Sequence, residues 1–164
     1  MMPTGRHIVL GIGNTLNTDE GVGVHALPLL QQALGTLSAI EFLDGGTLGL
    51  NLLPLVEETE HLLLLDAVDA GESPGTVVEL RRDEIPLFAG VKLSQHQLTF
   101  QEVLGLAHIR GKLPRHVHLI GVQPADLSVG MGMSDVVQRA IPSVLKRAEA
   151  VLKEWGLLKE IKGA

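Results

Sequence analysis

The chain has 164 residues and a formal net charge of −6, with 13 Lys and Arg against 19 Asp and Glu. That length is typical of one domain and buries about two-thirds of the unfolded surface without staples, while the scattered Lys and Arg offer no footprint for nucleic acid. The absence of Cys excludes disulfides, thiolate metal sites and a cysteine nucleophile, and it fits a reducing cytoplasm. Hydrophobic residues make up 45% but aromatic ones only 2%, with no Tyr, so the core must be built from Leu, Val, Ile and Ala. The apolar runs Ile8–Gly13 and Leu62–Leu65 are too short for a signal-peptide core or a membrane span. A soluble cytoplasmic protein without a membrane partner is expected.

In chain order, His7–Gly11 is a β-rich run that stops at a Gly-Asn turn. Thr18, Asp19 and Glu20 resemble a helix start, with carboxylates suited to the positive end of the macrodipole. Val22, His25, Ala26, Leu29, Leu30 and Ala33 repeat at helical spacing and end at Gly35. Ala39–Leu43 reads as a second strand closed by an Asp44-Gly45-Gly46-Thr47 turn, and Leu48–Glu58 as a helix. His61–Asp66 is a continuous apolar run ending in an acid, as in a strand buried on both faces. Thr76–Arg81 follows as a strand of β-branched residues, then a Ser94-Gln95-His96-Gln97 turn and a helix over Thr99–Ile109. His116–Val122 is another strand. Ser134–Trp155 is a long amphipathic helix in which Pro142 marks a kink or a start as late as Ile141. Strands alternating with helices imply βαβ units. The expectation is one three-layer α/β/α domain over residues 1–164, with a mostly parallel central sheet of about five strands.

Open α/β sheets bind ligands beyond the carboxyl ends of their strands. Asn14 with Asp19-Glu20, Asp44, Asp66 with Asp69, and His96 are the polar groups placed there. Carboxylates converging with one imidazole make a mixed oxygen and nitrogen set that nickel, zinc and similar cations accept. Taken singly, each has a plainer reading: Asp19 or Glu20 as a helix N-terminal acid, Asp66 as a turn former, His96 as a surface or capping residue. His116 and His118 share one face of a strand and read as structural. Standard motifs fail. Gly11-Ile12-Gly13 begins a dinucleotide loop, but Leu16 stands where the third Gly belongs, and no P-loop, HExxH or GxSxG is present. Asp44-Gly45-Gly46-Thr47 only superficially resembles the pepsin-type motif.

Five blocks in order carry a more specific signal. Residues 8–23 (IVLGIGNTLNTDEGVG), 43–47 (LDGGT), 64–67 (LLDA), 94–97 (SQHQ) and 119–124 (LIGVQP) resemble the hydrogenase maturation proteases over about residues 7–155. The resemblance implies an endopeptidase of the uptake-hydrogenase type, acting on a nickel-loaded [NiFe]-hydrogenase large-subunit precursor; a monomer is expected, although the sequence leaves the oligomeric state open. It also implies a metal-recognition triad of Glu20, Asp66 and His96, with Asp44 a neighbour and nickel at least partly brought by the substrate. Either an acid, Asp66 or Glu20, activates water, or the nickel polarises water or the carbonyl directly, and the sequence does not choose between these. A metal-sensing chaperone that binds the same precursor without cutting it, and a nucleotide-binding domain, are the competing readings.

Overall fold

The computed structural model describes residues 5–35, 37, 39–85 and 95–158, with side chains from Phe100 onward in the last segment. Strand β1 (Arg6–Ile12) leads through a 3₁₀ turn (Thr18–Gly21) into α1 (Val22–Leu34). Strand β2 (Glu41–Gly46), a second 3₁₀ turn (Gly49–Leu52) and α2 (Leu53–Glu57) follow, then β3 (Thr59–Ala67), β4 (Val77–Arg81) and a 3₁₀ turn (Arg82–Glu84). Helix α3 (Gln95–Ile109), β5 (His116–Val122) and α4 (Asp135–Glu154) complete the order.

The strands form one sheet in the order β2-β1-β3-β5-β4. β1 pairs in parallel with β2 and β3, and β3 with β5, while β4 runs antiparallel along β5 as an edge. The expected α/β class and five-stranded, mostly parallel sheet are therefore observed. Side chains of β3 alternate between two cores. Leu63 and Leu65 pack with α1 and α4 on one face, and Leu62 and Leu64 with α2 and α3 on the other. Double burial explains why β3 reads as unbroken leucine.

The helices cover these faces through regular apolar stripes. Phe100, Val103, Leu104 and Ala107 line α3, and Val137, Ala140, Ile141, Val144, Ala148 and Val151 line α4, both at i, i+3, i+4 spacing. Pro142 neither starts nor ends α4. Its ring removes one backbone donor, and the acceptor released on Gln138 lies on the exposed face, where it is open to solvent.

Two sequence boundaries shift. The Asp44-Gly45-Gly46 segment belongs to β2 itself, its register on β1 slipping between Gly11 and Ile12. Residues 95–98 belong to the backbone of α3, which begins at Gln95, so three residues of the expected Ser94–Gln97 turn lie in the helix; Ser94 lies outside the described residues. Among the described residues no helix is long and apolar enough to cross a membrane.

Candidate active site

Glycines bring the first helix down onto the strand ends. A Cβ at Gly23 would collide with the carbonyl oxygen of Leu65 and sit 2.7 Å from that of Ile12, so α1 rests directly on the carboxyl ends of β1 and β3. Gly13, at φ +128°, meets the carbonyl of Glu20 in the same way. The incomplete Gly11-Ile12-Gly13 loop thus has a packing explanation, in which backbone touches backbone at a spacing that a methyl group would prevent.

The consequence is a 3₁₀ turn with two acids pressed against the sheet edge, and the two acids have different surroundings. Asp19 is wholly buried. Its carboxylate accepts hydrogen bonds from the backbone N–H of Ala125 (2.9 Å), Asp126 (2.9 Å) and Ser134 (2.7 Å) and from the Ser134 hydroxyl (2.8 Å). Four charge-assisted bonds satisfy a buried carboxylate. Asp19 therefore ties the turn to the β5–α4 loop, and it is not the simple first-turn acid that its position suggests. The same loop is joined to the β1 exit by Thr18 N–H to the Gly130 carbonyl (3.0 Å), Gly130 N–H to the Leu16 carbonyl (2.9 Å) and Thr18 hydroxyl to the Ser128 carbonyl (2.6 Å).

Glu20 is 7% exposed and follows Asp19 in the same turn, which packs against β3. Asp66, the penultimate residue of β3, is 5% exposed, and its Oδ1 accepts from the Ala67 N–H at 2.8 Å. Asp66 shares the face of Leu62 and Leu64, and with Gln101, Phe100, Leu104, Ile12, Leu119 and Ile85 it lines a cavity of about 20 Å³. That volume holds a single water. Gln101, a buried polar side chain (4% exposed) on α3, escaped the sequence reading; its only trace there is a polar residue at a position that the stripe of α3 turns inward.

The turn and β3 thus bring Glu20 and Asp66 to one edge. His96 lies on the backbone of α3 one helical turn before Phe100, and its side chain lies outside the described residues. Among the described residues no three His, Asp or Glu side chains form a metal-sized cluster. Asp44 is exposed near the end of β2, and Asp69 is held by the Gln123 Nε2 at 3.1 Å while Gln123 Oε1 accepts from the N–H of Ala70 and Glu72. The second of these acids belongs to a loop brace. A broad cleft of about 700 Å³ lined by Glu57, Glu60, Lys112 and Arg115 lies at the opposite, amino edge of the sheet, away from the strand ends where such folds bind ligands.

His116 and His118, read as structural, join His7, His61 and Trp155 in a cluster at that amino edge. His61 stacks on His116 with ring centroids 4.3 Å apart, and His118 Nε2 meets Glu79 Oε1 at 3.3 Å. Sequence proximity alone had hidden Glu79, which the antiparallel pairing of β4 with β5 delivers.

Comparison with known proteins agrees with this architecture. Residues 24–151 match the family model described as hydrogenase maturation protease. The chain is 43% identical to the hydrogenase expression/formation protein HupD of Rhizobium leguminosarum over 157 residues, covering 94% of this chain and 78% of that one. It is 37% identical to the hydrogenase 2 maturation protease of Escherichia coli, covering 93% of both. In three dimensions it matches the hydrogenase maturating endopeptidase HybD from E. coli with a TM-score of 0.87 at 36% identity, over 93% of this chain and 95% of that one.

Proposed function

The chain belongs to the hydrogenase maturation protease family, and from that premise we propose that it is the endopeptidase removing the C-terminal peptide of a nickel-loaded [NiFe]-hydrogenase large-subunit precursor. The observation carrying the reading is the delivery of two buried carboxylates, Glu20 and Asp66, to the carboxyl edge of the sheet, one by the glycine-packed turn and one by the central strand.

In this reading nickel arrives as part of the substrate. Glu20, Asp66 and His96 dock onto it, a donor set of two carboxylates and an imidazole that nickel accepts. Docking fixes the scissile peptide relative to the acids, and positioning of this kind lowers a barrier by several kcal/mol. Asp66, beside a cavity the size of one water, is the carboxylate that takes the proton of the attacking water. Asp19 keeps the turn carrying Glu20 in place through its four hydrogen bonds. The protein would work in the cytoplasm, as a monomer.

The test is cleavage of purified precursor prepared with and without nickel, followed by mass spectrometry of the large subunit. Loss of the C-terminal peptide from the nickel-loaded form alone is expected. Equal cleavage of the metal-free precursor would remove nickel docking from the mechanism, and no cleavage of either form would remove the protease reading.

A further inference from the structure

Six of the exposed large apolar side chains gather at one edge. Leu16, Leu127, Val129 and Met131 lie on the loops leaving β1 and β5, and Leu48 and Leu50 on the loop leaving β2. Val129 and Met131 are each 86% exposed, on a chain whose other described apolar residues mostly pack into two cores. They are not on slack loops: the bonds between 16–18 and 127–130, with the Asp19 brace behind them, hold these backbones in register. A braced loop that keeps apolar side chains in water is the mark of an interaction surface.

Charge selects the partner. The segments 13–21, 47–52, 68–76 and 123–134 contain no Lys or Arg, while Asp44, Asp69, Glu72 and Asp126 are exposed on or beside them. Several acids elsewhere are held in ion pairs, as in Arg6 with Glu41 and Glu58 and Arg110 with Glu57. The four exposed acids of the strand-exit edge meet no Lys or Arg among the described residues. Their field attracts a cationic ligand.

We propose that this rim is the docking surface for the precursor's C-terminal tail, bound as an extended peptide whose apolar side chains cover Leu16, Val129 and Met131 and whose Lys or Arg side chains face Asp69, Glu72 and Asp126. This rests on the proteolytic reading above and adds to it the part of the molecule that selects the substrate. The rim borders the turn carrying Glu20, so a peptide lying along it presents its backbone to the two buried acids.

The experiment uses the full chain and the nickel-loaded large-subunit precursor, with binding measured by calorimetry and cleavage measured separately. The double variant V129S/M131S, altered only at exposed side chains, is expected to keep its Tm and its kcat and to raise KM about tenfold, the effect of losing roughly 1.4 kcal/mol of apolar contact. Replacing the Lys and Arg of the precursor tail by Gln, or Glu72 by Gln, is expected to weaken binding and to reduce its salt sensitivity. An unchanged KM in V129S/M131S, or binding indifferent to the tail's charges, overturns the proposal while leaving the protease reading intact. Binding that depends on the rim but leads to no cleavage overturns the protease reading and retains the surface. Failure of the wild-type protein to bind the precursor overturns both.

Discussion

The Nδ1 atoms of His7 and His61 lie 2.9 Å apart, a separation that requires one imidazole to donate the proton and the other to accept it. Both rings are buried, His61 also stacks against His116, and Trp155 closes over them at 5.1 Å from His61. Burial first, and then the neighbouring His116 and His7, push His61 down from 6.5 to about 4, with Glu60 opposing. If both His7 and His61 were protonated, two N–H groups would face each other across a hydrogen-bond distance.

Stability is therefore expected to fall in mild acid. The native state holds His61 neutral while the unfolded chain takes up its proton near pH 6.5, so the unfolded state binds more protons between pH 6.5 and about 4. The contribution is fully present above pH 6.5 and declines through that window, by about 3 kcal/mol at most. Urea unfolding at a series of pH values measures the slope, and His61→Asn should flatten it whatever its absolute stability. An identical slope in the variant would assign the acid sensitivity to other groups.

Asp19→Ala should be among the most damaging changes to a polar residue. It removes the buried acceptor of four part-buried donors at once, and a hydrogen bond to a charged group contributes about 1.5–3 kcal/mol before relaxation and solvent access are counted. A loss of several kcal/mol is expected, with fast amide exchange at Ala125, Asp126 and Ser134. Retained exchange protection at those three amides would refute the brace.

Gly23→Ala places a methyl group against the Leu65 carbonyl, where neither backbone can yield without parting α1 from the sheet. The expected cost is about 3 kcal/mol or more. Gly35, at φ 76° and ψ −164° with open space around its Cα, is the control: alanine there meets no neighbour and should cost about 1–3 kcal/mol from backbone strain alone. Thermal unfolding of the two variants side by side makes the comparison.

Glu20→Gln and Asp66→Asn keep volume and remove charge. Each should lower cleavage of the nickel-loaded precursor by at least about a hundredfold while leaving the fold in place, checked by circular dichroism and the rate of tail release. Wild-type rates in either variant would remove that carboxylate from the reaction.

The sequence was most readable where one structural demand dominated a segment. Leu62–Leu65 had to be a doubly buried strand, and α4's stripe survived Pro142. Asp44-Gly45-Gly46 misled because turn-forming residues stand inside β2, where a parallel neighbour supplies the hydrogen bonds. Asp19 and Glu20 were both legible as acids at a helix start, but their division of labour was not. The partners of Asp19 lie 106 to 115 residues away, beyond any local pattern. Gln101 stayed invisible for a related reason: what makes it notable is Asp66 across the cavity, a neighbour that only the fold supplies.

That reach between Asp19 and Ser134 also sets the order in which the molecule becomes competent during synthesis. A nascent chain can pair β1 with β3 once residue 67 has emerged, yet the distant partners of Asp19 begin to arrive only with residues 125 and 126 and are complete only at residue 134. Fragments ending before residue 125 carry Glu20 and Asp66 without any of the Asp19 hydrogen bonds. The edge that carries the two acids thus stays incompletely braced through most of translation, until the loop before the last helix locks the first turn.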